Sequence, residues 1–461
     1  MAVGMSAGIE RIESGLWVLR RWNSYTPRIP TFDAGPGGGY FLKWKGKGFA
    51  IDPGFNFLLN MERARLYLSD INAVVITHSH PDHTDDFEPI LMMMARQHER
   101  RRQEDRERGK LDLFLSMDTT EKYHYLLQRQ SPDVINQSKS PDLDSEGIKK
   151  LPEYCAVIQT LPADHAKTHS GSTHPTGHSE QGWAGPLQKA VSIIFHLYTD
   201  KDLVDSKRCL SIGFTGDTRY SSKTATQMKQ CEIVVAHLGS LEFGPLIGLV
   251  AKNSKCKVAS QMRRDLQEYG GKPDDENAMR GILGLGHAQA TFKKELDQLL
   301  KGQFPANNSP SSGHLLFLGI LDLFKDVFSG DSKTKIGIVS EFGLELGSFR
   351  HKIAQSLNVA LFGNQDGRGD RRIISGDRDL AVQLSDENQT CAHSVSADCK
   401  HKDICDKGEA RFLLRCTLCH DWFCLPCIKE HSISHRDRGI FYNCDVHWKR
   451  EDYPGTPVIE L

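Results

Sequence analysis

The sequence predicts an α/β layered domain followed by a small cysteine-rich one, and three observations predict it. Short apolar, β-branched runs such as Ala73-Val74-Val75-Ile76-Thr77 recur along the chain, each ending at a turn or a polar cluster. Segments of helical character lie between those runs. The cysteines are uneven: of 12, only Cys155, Cys209, Cys231 and Cys256 precede residue 390.

The elements follow in order. Gly35-Pro36-Gly37-Gly38-Gly39 is a turn signal, residues 40–44 a strand, and Lys45-Gly46-Lys47-Gly48 a hairpin turn. Residues 49–51 form a short strand ending at Asp52-Pro53-Gly54, which puts Asp52 at a strand end. A helix is expected over 58–68, a buried strand over 73–77, and a helix over 85–97, with Pro89 tolerated near its start. The stripe Met92-Met93-Met94 on that helix reads as core packing. Residues 96–110 mix Arg, Glu and Asp densely and read as a solvated helix end or loop. Further strands are expected at 111–115, 191–197, 210–215, 233–236 and 336–340, with polar loops at 164–190 and 302–313. The chain turns Gly- and Asp-rich from about 362 to 390, with a short hairpin around Gly376. That divides it into a domain over 12–362, a linker or hairpin over 363–390 and a cysteine/histidine-rich domain over 391–447.

Bulk composition sets limits on function. The 461 residues hold 39% hydrophobic and 25% charged side chains, enough for a real core. A formal net charge of −1 excludes a global basic field that would grip long nucleic acid or an anionic membrane. Residues 1–10 carry no hydrophobic run, and no stretch of about 18 apolar residues occurs, so neither a signal sequence nor a membrane span is expected. The expected address is the cytosol, where clustered cysteines bind metal rather than form disulfides.

Thr77-His78-Ser79-His80-Pro81-Asp82-His83-Thr84 carries the chemistry. Three imidazoles and a carboxylate sit within six residues, between an apolar strand and a helix. These donors suit zinc, manganese or iron. Alternate residues of an extended segment point the same way, so His78 and His80 share one metal, while Asp82 and His83 face a second position beside it. Two neighbouring metals can hold a hydroxide and polarise the bond it attacks.

The pattern HxHxDH resembles the signature of the metallo-β-lactamase superfamily, over roughly residues 12–360. The resemblance implies an αββα sandwich with two metals at one edge. By it, Asp52 is the structural aspartate behind the histidine loop, and Asp217 in Phe214-Thr215-Gly216-Asp217-Thr218 bridges both metals. His165 is the expected third histidine of the first metal, with His169, His174 and His178 in the same loop. For the last ligand, relatives resembling tRNase Z place a histidine where this chain has Ser340-Glu341-Phe342; Glu341, His314 and His287 are the alternatives. His314, in a Gly-His pair, also fits a general acid, and His237 aligns with a strand-end histidine of the same relatives, so Asp82, His314 and His237 are the expected catalytic residues.

The resemblance implies a dinuclear hydrolase, and the late segments are most similar to the tRNase Z and cyclic-nucleotide phosphodiesterase branch. Phosphodiester cleavage by a bridging hydroxide, on RNA or a nucleotide, is therefore the expected reaction. A thioesterase or lactonase, and an inactive scaffold working through its tail, are the alternatives. In the tail, Cys416-x-x-Cys419, Cys424-x-x-Cys427 and His431-x-x-x-His435 are spaced for zinc. They resemble cross-braced ZZ or B-box fingers, which implies one zinc on Cys416, Cys419, His431 and His435. Cys424 and Cys427 would hold another with two of Cys391, Cys399 and Cys405. Such fingers imply a protein partner.

Overall fold

The computed structural model describes residues 12–20, 38–100, 110–129, 134–136, 147–163, 190–202, 208–238, 315, 317–341, 354, 357–358, 360–363, 371–376, 380–386, 412–415, 422–425 and 427. The strands of the first half are β1 Gly15–Val18, β2 Tyr40–Trp44, β3 Lys47–Ile51, β4 Ile71–Ile76, β5 Asp112–Leu115, β6 Gly147–Leu151 and β7 Ala156–Pro162. Then come β8 Val191–Tyr198, β9 Arg208–Phe214, β10 Ile233–His237, β11 Ile336–Ser340, β12 Arg372–Ser375, β13 Ala381–Leu384, β14 Phe412–Arg415 and β15 Trp422–Phe423. The helices are α1 Phe57–Arg63, α2 Pro81–Thr84, α3 Phe87–Arg100, α4 Met117–Lys122, α5 His124–Arg129, α6 Ser222–Met228 and α7 Phe317–Val327.

Two mixed sheets form. The first has the order β15-β14-β13-β1-β2-β3-β4-β5 and the second β12-β11-β10-β9-β8-β7-β6. Each is antiparallel in one part and parallel in another: β3, β4 and β5 run parallel in the first, and β9 to β12 in the second. The parallel strands are buried on both faces, which is why they read as unbroken apolar runs.

Alternation along each strand sorts the side chains into three layers. In β4, Ala73 and Val75 face the second sheet, in a core shared with Trp44, Phe49, Ile158, Phe195 and Ile212. Val74 and Ile76 face outward, where Phe57 and Met61 of α1 and Phe87, Ile90, Leu91 and Met94 of α3 cover them. On the far side, Ala225 and Met228 of α6 and Ile320, Phe324 and Val327 of α7 cover Ile194, Val234, Ala236 and Val339. Helix, sheet, sheet, helix is the αββα sandwich expected from the sequence. Among the described residues, no helix is long and apolar enough to cross a membrane.

Two local expectations need correction. The helix expected over 58–68 ends at Arg63, because Arg65 takes a left-handed φ of 59° and the chain re-enters a short 3-10 turn at Leu68–Asp70. Of the methionine stripe only Met94 packs inward; Met92 and Met93 are each 45% exposed. A helix turns 3.6 residues per revolution, so consecutive residues cannot share its buried face. The stretch 363–390 supplies β12 to the second sheet and β13 to the first, where β13 pairs with β1. Beyond it, β14 and β15 extend the first sheet, and Cys424 and Cys427 are buried in the inter-sheet core beside Leu413, Leu414 and Phe423.

Candidate metal centre

Five strands deliver the polar cluster, all at one edge. Asp52 directly follows β3, and His78 follows β4 by two residues. Asp217, His237 and Glu341 stand at the carboxyl ends of the parallel neighbours β9, β10 and β11. That edge is where open parallel sheets gather ligand-binding groups.

The histidine turn is shaped by Pro81. A proline at the first position of α2 confines the preceding residue to extended backbone, and His80 has φ −61° and ψ 147°. The extended stretch places His78 and His80 on one side, with His78 Nε2 3.0 Å from His80 Nδ1. Helix α2 then carries Asp82 and His83 inward, both buried. Around this turn the chain is tightly fastened. Asp52 accepts from the Thr77 backbone N–H and hydroxyl, each at 2.7 Å, and lies 3.1 Å from His83 Nδ1. Asp118 of α4 accepts from the Ser79 N–H at 2.9 Å, and Lys122 donates to the Ser79 carbonyl at 2.6 Å. Gly54 packs directly beneath: a Cβ there would lie 1.6 Å from the Asp82 carbonyl oxygen.

Asp217 is the meeting point. Gly216 turns the chain there with a φ of 58°. Asp217 Oδ2 lies 3.2 Å from His78 Nε2 and 3.7 Å from His83 Nε2, and its Oδ1 lies 3.5 Å from His237 Nδ1. Two donor groups result, with Asp217 in both: His78, His80 and Asp217, and His83, Asp217, His237 and Glu341. Within each, the donor atoms lie within 4.8 Å of one another.

These donors fit a metal. His237 Nδ1 is 2.7 Å from Glu341 Oε1, yet the two are not aligned as a hydrogen bond, and both are buried. Asp82 Oδ1 is likewise buried without a hydrogen bond. Lone pairs converging in this way, from imidazoles and carboxylates, match what a divalent ion needs. Burial, with His83 beside it, pushes His78 down to about 3, so its ring is neutral, the form in which imidazole ligates. Burial would lower His83 too, but Asp82, Glu341 and Asp52 outweigh it and raise His83 well above its ordinary value.

Sequence reasoning missed Arg20. It follows β1, is wholly buried, and donates through Nη2 to Asp82 Oδ2 in a short contact. Its Nη1 is 2.7 Å from Glu341 Oε1 and 3.4 Å from both ring nitrogens of His83. Nothing in the local sequence separates Arg20 from the neighbouring Arg21. Only topology does: β1 runs antiparallel to β2, and β2 to β3, so the end of β1 reaches the same edge as the ends of β3 and β4. Asp82, expected as a ligand and a catalytic residue, stands outside both donor groups and against Arg20. His165, His169, His174, His178, His287 and His314 lie outside the described residues, as do Cys391, Cys399, Cys405, Cys416, Cys419, His431 and His435.

No family model matches the chain. Ribonuclease Z of Thermobifida fusca (strain YX) is 38% identical to it over 58 residues, 13% of this chain and 18% of that protein. Ribonuclease Z of Streptomyces coelicolor (strain ATCC BAA-471 / A3(2) / M145) is 41% identical over 46 residues, 10% of this chain and 15% of that protein. The chain therefore spans less than a fifth of the length of these relatives. Among solved structures, the metallo-β-lactamase fold protein YhfI from Bacillus subtilis superposes with a TM-score of 0.45 at 10% identity, covering 80% of this chain and 98% of that one. The fold itself rests on the strand order and the three packed layers.

Proposed function

We propose that this protein is a metal-dependent hydrolase that cleaves phosphodiester bonds in RNA or a nucleotide. The observation that carries the proposal is the pair of donor groups sharing Asp217. The phosphodiester preference is supported by the local identity to ribonuclease Z.

A divalent ion bound there supplies a Lewis acid and makes water a nucleophile at neutral pH. His78, His80 and Asp217 would hold it; His165 is proposed as a further ligand. His83, His237 and Glu341, with the shared Asp217, are donors for a second, and the dinuclear reading rests on them. The other side chains of the site orient these. Asp52 holds the His83 ring through Nδ1 and leaves Nε2 toward the cluster, the usual arrangement behind a ligating histidine. His314 is proposed as the proton donor to the leaving group. Zinc on the tail cysteines and histidines, a protein partner for that tail and a cytosolic setting belong to the same proposal.

The test uses the full chain, stripped of exchangeable metal and reloaded with zinc or manganese, acting on a chromogenic phosphodiester and on a short RNA. Metal-restored cleavage that an Asp217→Asn variant lacks is the expected result. A metal-loaded protein that leaves both phosphodiesters intact but hydrolyses a thioester or lactone overturns the proposed substrate class.

A further inference from the structure

We infer that Arg20 is a built-in cation that competes for the second donor group, so that the resting protein holds one tightly bound divalent ion, on His78, His80 and Asp217, and not two. The inference rests on the metal-dependent reading above and replaces its two-ion form with a resting state that holds one.

The contacts point one way. Glu341 belongs to the second group, and its Oε1 is 2.7 Å from Arg20 Nη1. The same Nη1 is 3.4 Å from His83 Nε2, whose lone pair the second ion would need. Asp82, beside that group, has its Oδ2 taken by Arg20 Nη2. A guanidinium thus touches two members of the second donor group, Glu341 and His83, and Asp82 beside them. Arginine cannot shed its proton to make way, as a buried lysine can. An ion entering there meets a fixed positive charge that already lies against Asp82 and Glu341, two of the carboxylates that would neutralise it.

Arg20 is also held in place. The Leu19 N–H donates to the Gly39 carbonyl at 2.9 Å, and Asn60 Nδ2 donates to the Leu19 carbonyl at 2.7 Å. The backbone of Leu19, directly before Arg20, is therefore held through both its N–H and its carbonyl. A side chain buried to 0% exposure would cost a great deal to withdraw from its two carboxylates.

The experiment counts manganese. Mn²⁺ favours oxygen and nitrogen donors and discriminates against thiolate sites such as those of the tail. The full chain, depleted of exchangeable metal by dialysis against dipicolinate, is titrated with Mn²⁺ and followed by electron paramagnetic resonance. The expected wild-type result is one magnetically isolated ion, with any second ion bound about 100-fold more weakly. Arg20→Gln, which keeps a polar side chain but removes the charge, is expected to bind a second ion with comparable affinity and to show an exchange-coupled pair. Arg20→Lys, whose buried amine can shed its proton as an ion enters, is expected to bind a second ion more tightly than the wild type and more weakly than Arg20→Gln. Circular dichroism establishes that each variant is folded before its ions are counted.

Two coupled ions of similar affinity in the wild type overturn the inference while leaving the hydrolase proposal standing, and this outcome needs no variant. A folded Arg20→Gln that still holds a single ion overturns the role given to Arg20. A wild type that binds no manganese or zinc outside its tail overturns the metal-dependent reading itself.

Discussion

The two halves of the metal centre are built on different principles. His78, His80, Asp82 and His83 come from one turn after β4, and their geometry is set locally, by an extended stretch, a proline and the first turn of a short helix. Asp217, His237 and Glu341 come from three strands, and their geometry is set by sheet register. Ala236 pairs with Val339 and His237 with Ser340, so Glu341 emerges one residue beyond the level of His237 on the neighbouring strand. The local half is fixed by what the chain can do over a few residues. The dispersed half is fixed only once β9, β10 and β11 have assembled. Strain is stored on both sides: Asp52 and Glu341 have left-handed φ values of 47° and 64°, a conformation that costs a residue with a side chain about 1–3 kcal/mol.

Substitutions can break or sharpen that contrast. The largest effect is expected at Asp217, the one carboxylate both donor groups share. Asp217→Asn should lower hydrolysis by at least about 10³-fold, as loss of a preorganised charged group does, with little change in thermal stability of the metal-free protein. Steady-state kinetics beside a thermal melt checks it. A variant that loses stability in step with activity would mean that Asp217 serves the sheet rather than the site.

Next comes Gly54→Ala, which drives a Cβ into the Asp82 carbonyl. Backbone cannot yield as a flexible side chain can, so a loss of about 3 kcal/mol or more is expected on chemical denaturation. The local half should fail first, with metal affinity lost before the fold. Retention of full metal affinity would show that the turn after β4 tolerates displacement.

Asp52 and Thr77 split the bracing of the turn into parts. Asp52→Asn should weaken metal binding by about 10–100-fold, because the group orienting His83 is altered. Thr77→Val removes only the hydroxyl bond and leaves the backbone N–H bond, so a smaller loss, about 1 kcal/mol of stability, is expected. Equal effects from the two would argue against a role for Asp52 beyond the hydroxyl bond.

The smallest effect is one of pH. Burial raises Asp86 to about 6, although its carboxylate accepts from the Leu58 N–H at 2.9 Å. A carboxyl whose folded pKa lies above its unfolded value of about 3.9 favours the fold below that value, and the advantage is lost as pH rises through about 6. Asp86→Asn keeps an acceptor for Leu58 and removes the charge. Its melting temperature relative to the wild type should therefore rise between pH 4.5 and pH 7.5. A difference that does not change with pH would remove Asp86 from the titrating groups.

What could be read in the sequence follows the same division. The turn from Thr77 to Thr84 is contiguous, so its residue types and spacing carry nearly all of its geometry, and the strand before it announces itself by β-branched residues. Asp217 and Glu341 are legible only through the resemblance, which assigns them by their places after late apolar strands. His237 was harder to place, since a histidine ending the run Ile233-Val234-Val235-Ala236 reads as core until its neighbours are known. Arg20 could not be found, because its partners Asp82 and Glu341 are distant in sequence and join it only through the assembled sheet. The tail misleads in another way. Its cysteine spacing draws attention from Phe412-Leu413-Leu414-Arg415, an apolar run that pairs with β13 and extends the first sheet.

The most direct test of the central claim, that this polar edge is a metal centre, is an anomalous-diffraction map from a crystal of the full chain grown with zinc or manganese. The expected result is a peak within about 2.0–2.2 Å of nitrogen from His78 and His80 and of an Asp217 carboxylate oxygen. Peaks confined to the cysteine-rich tail, with the edge around Asp217 showing none, would contradict it.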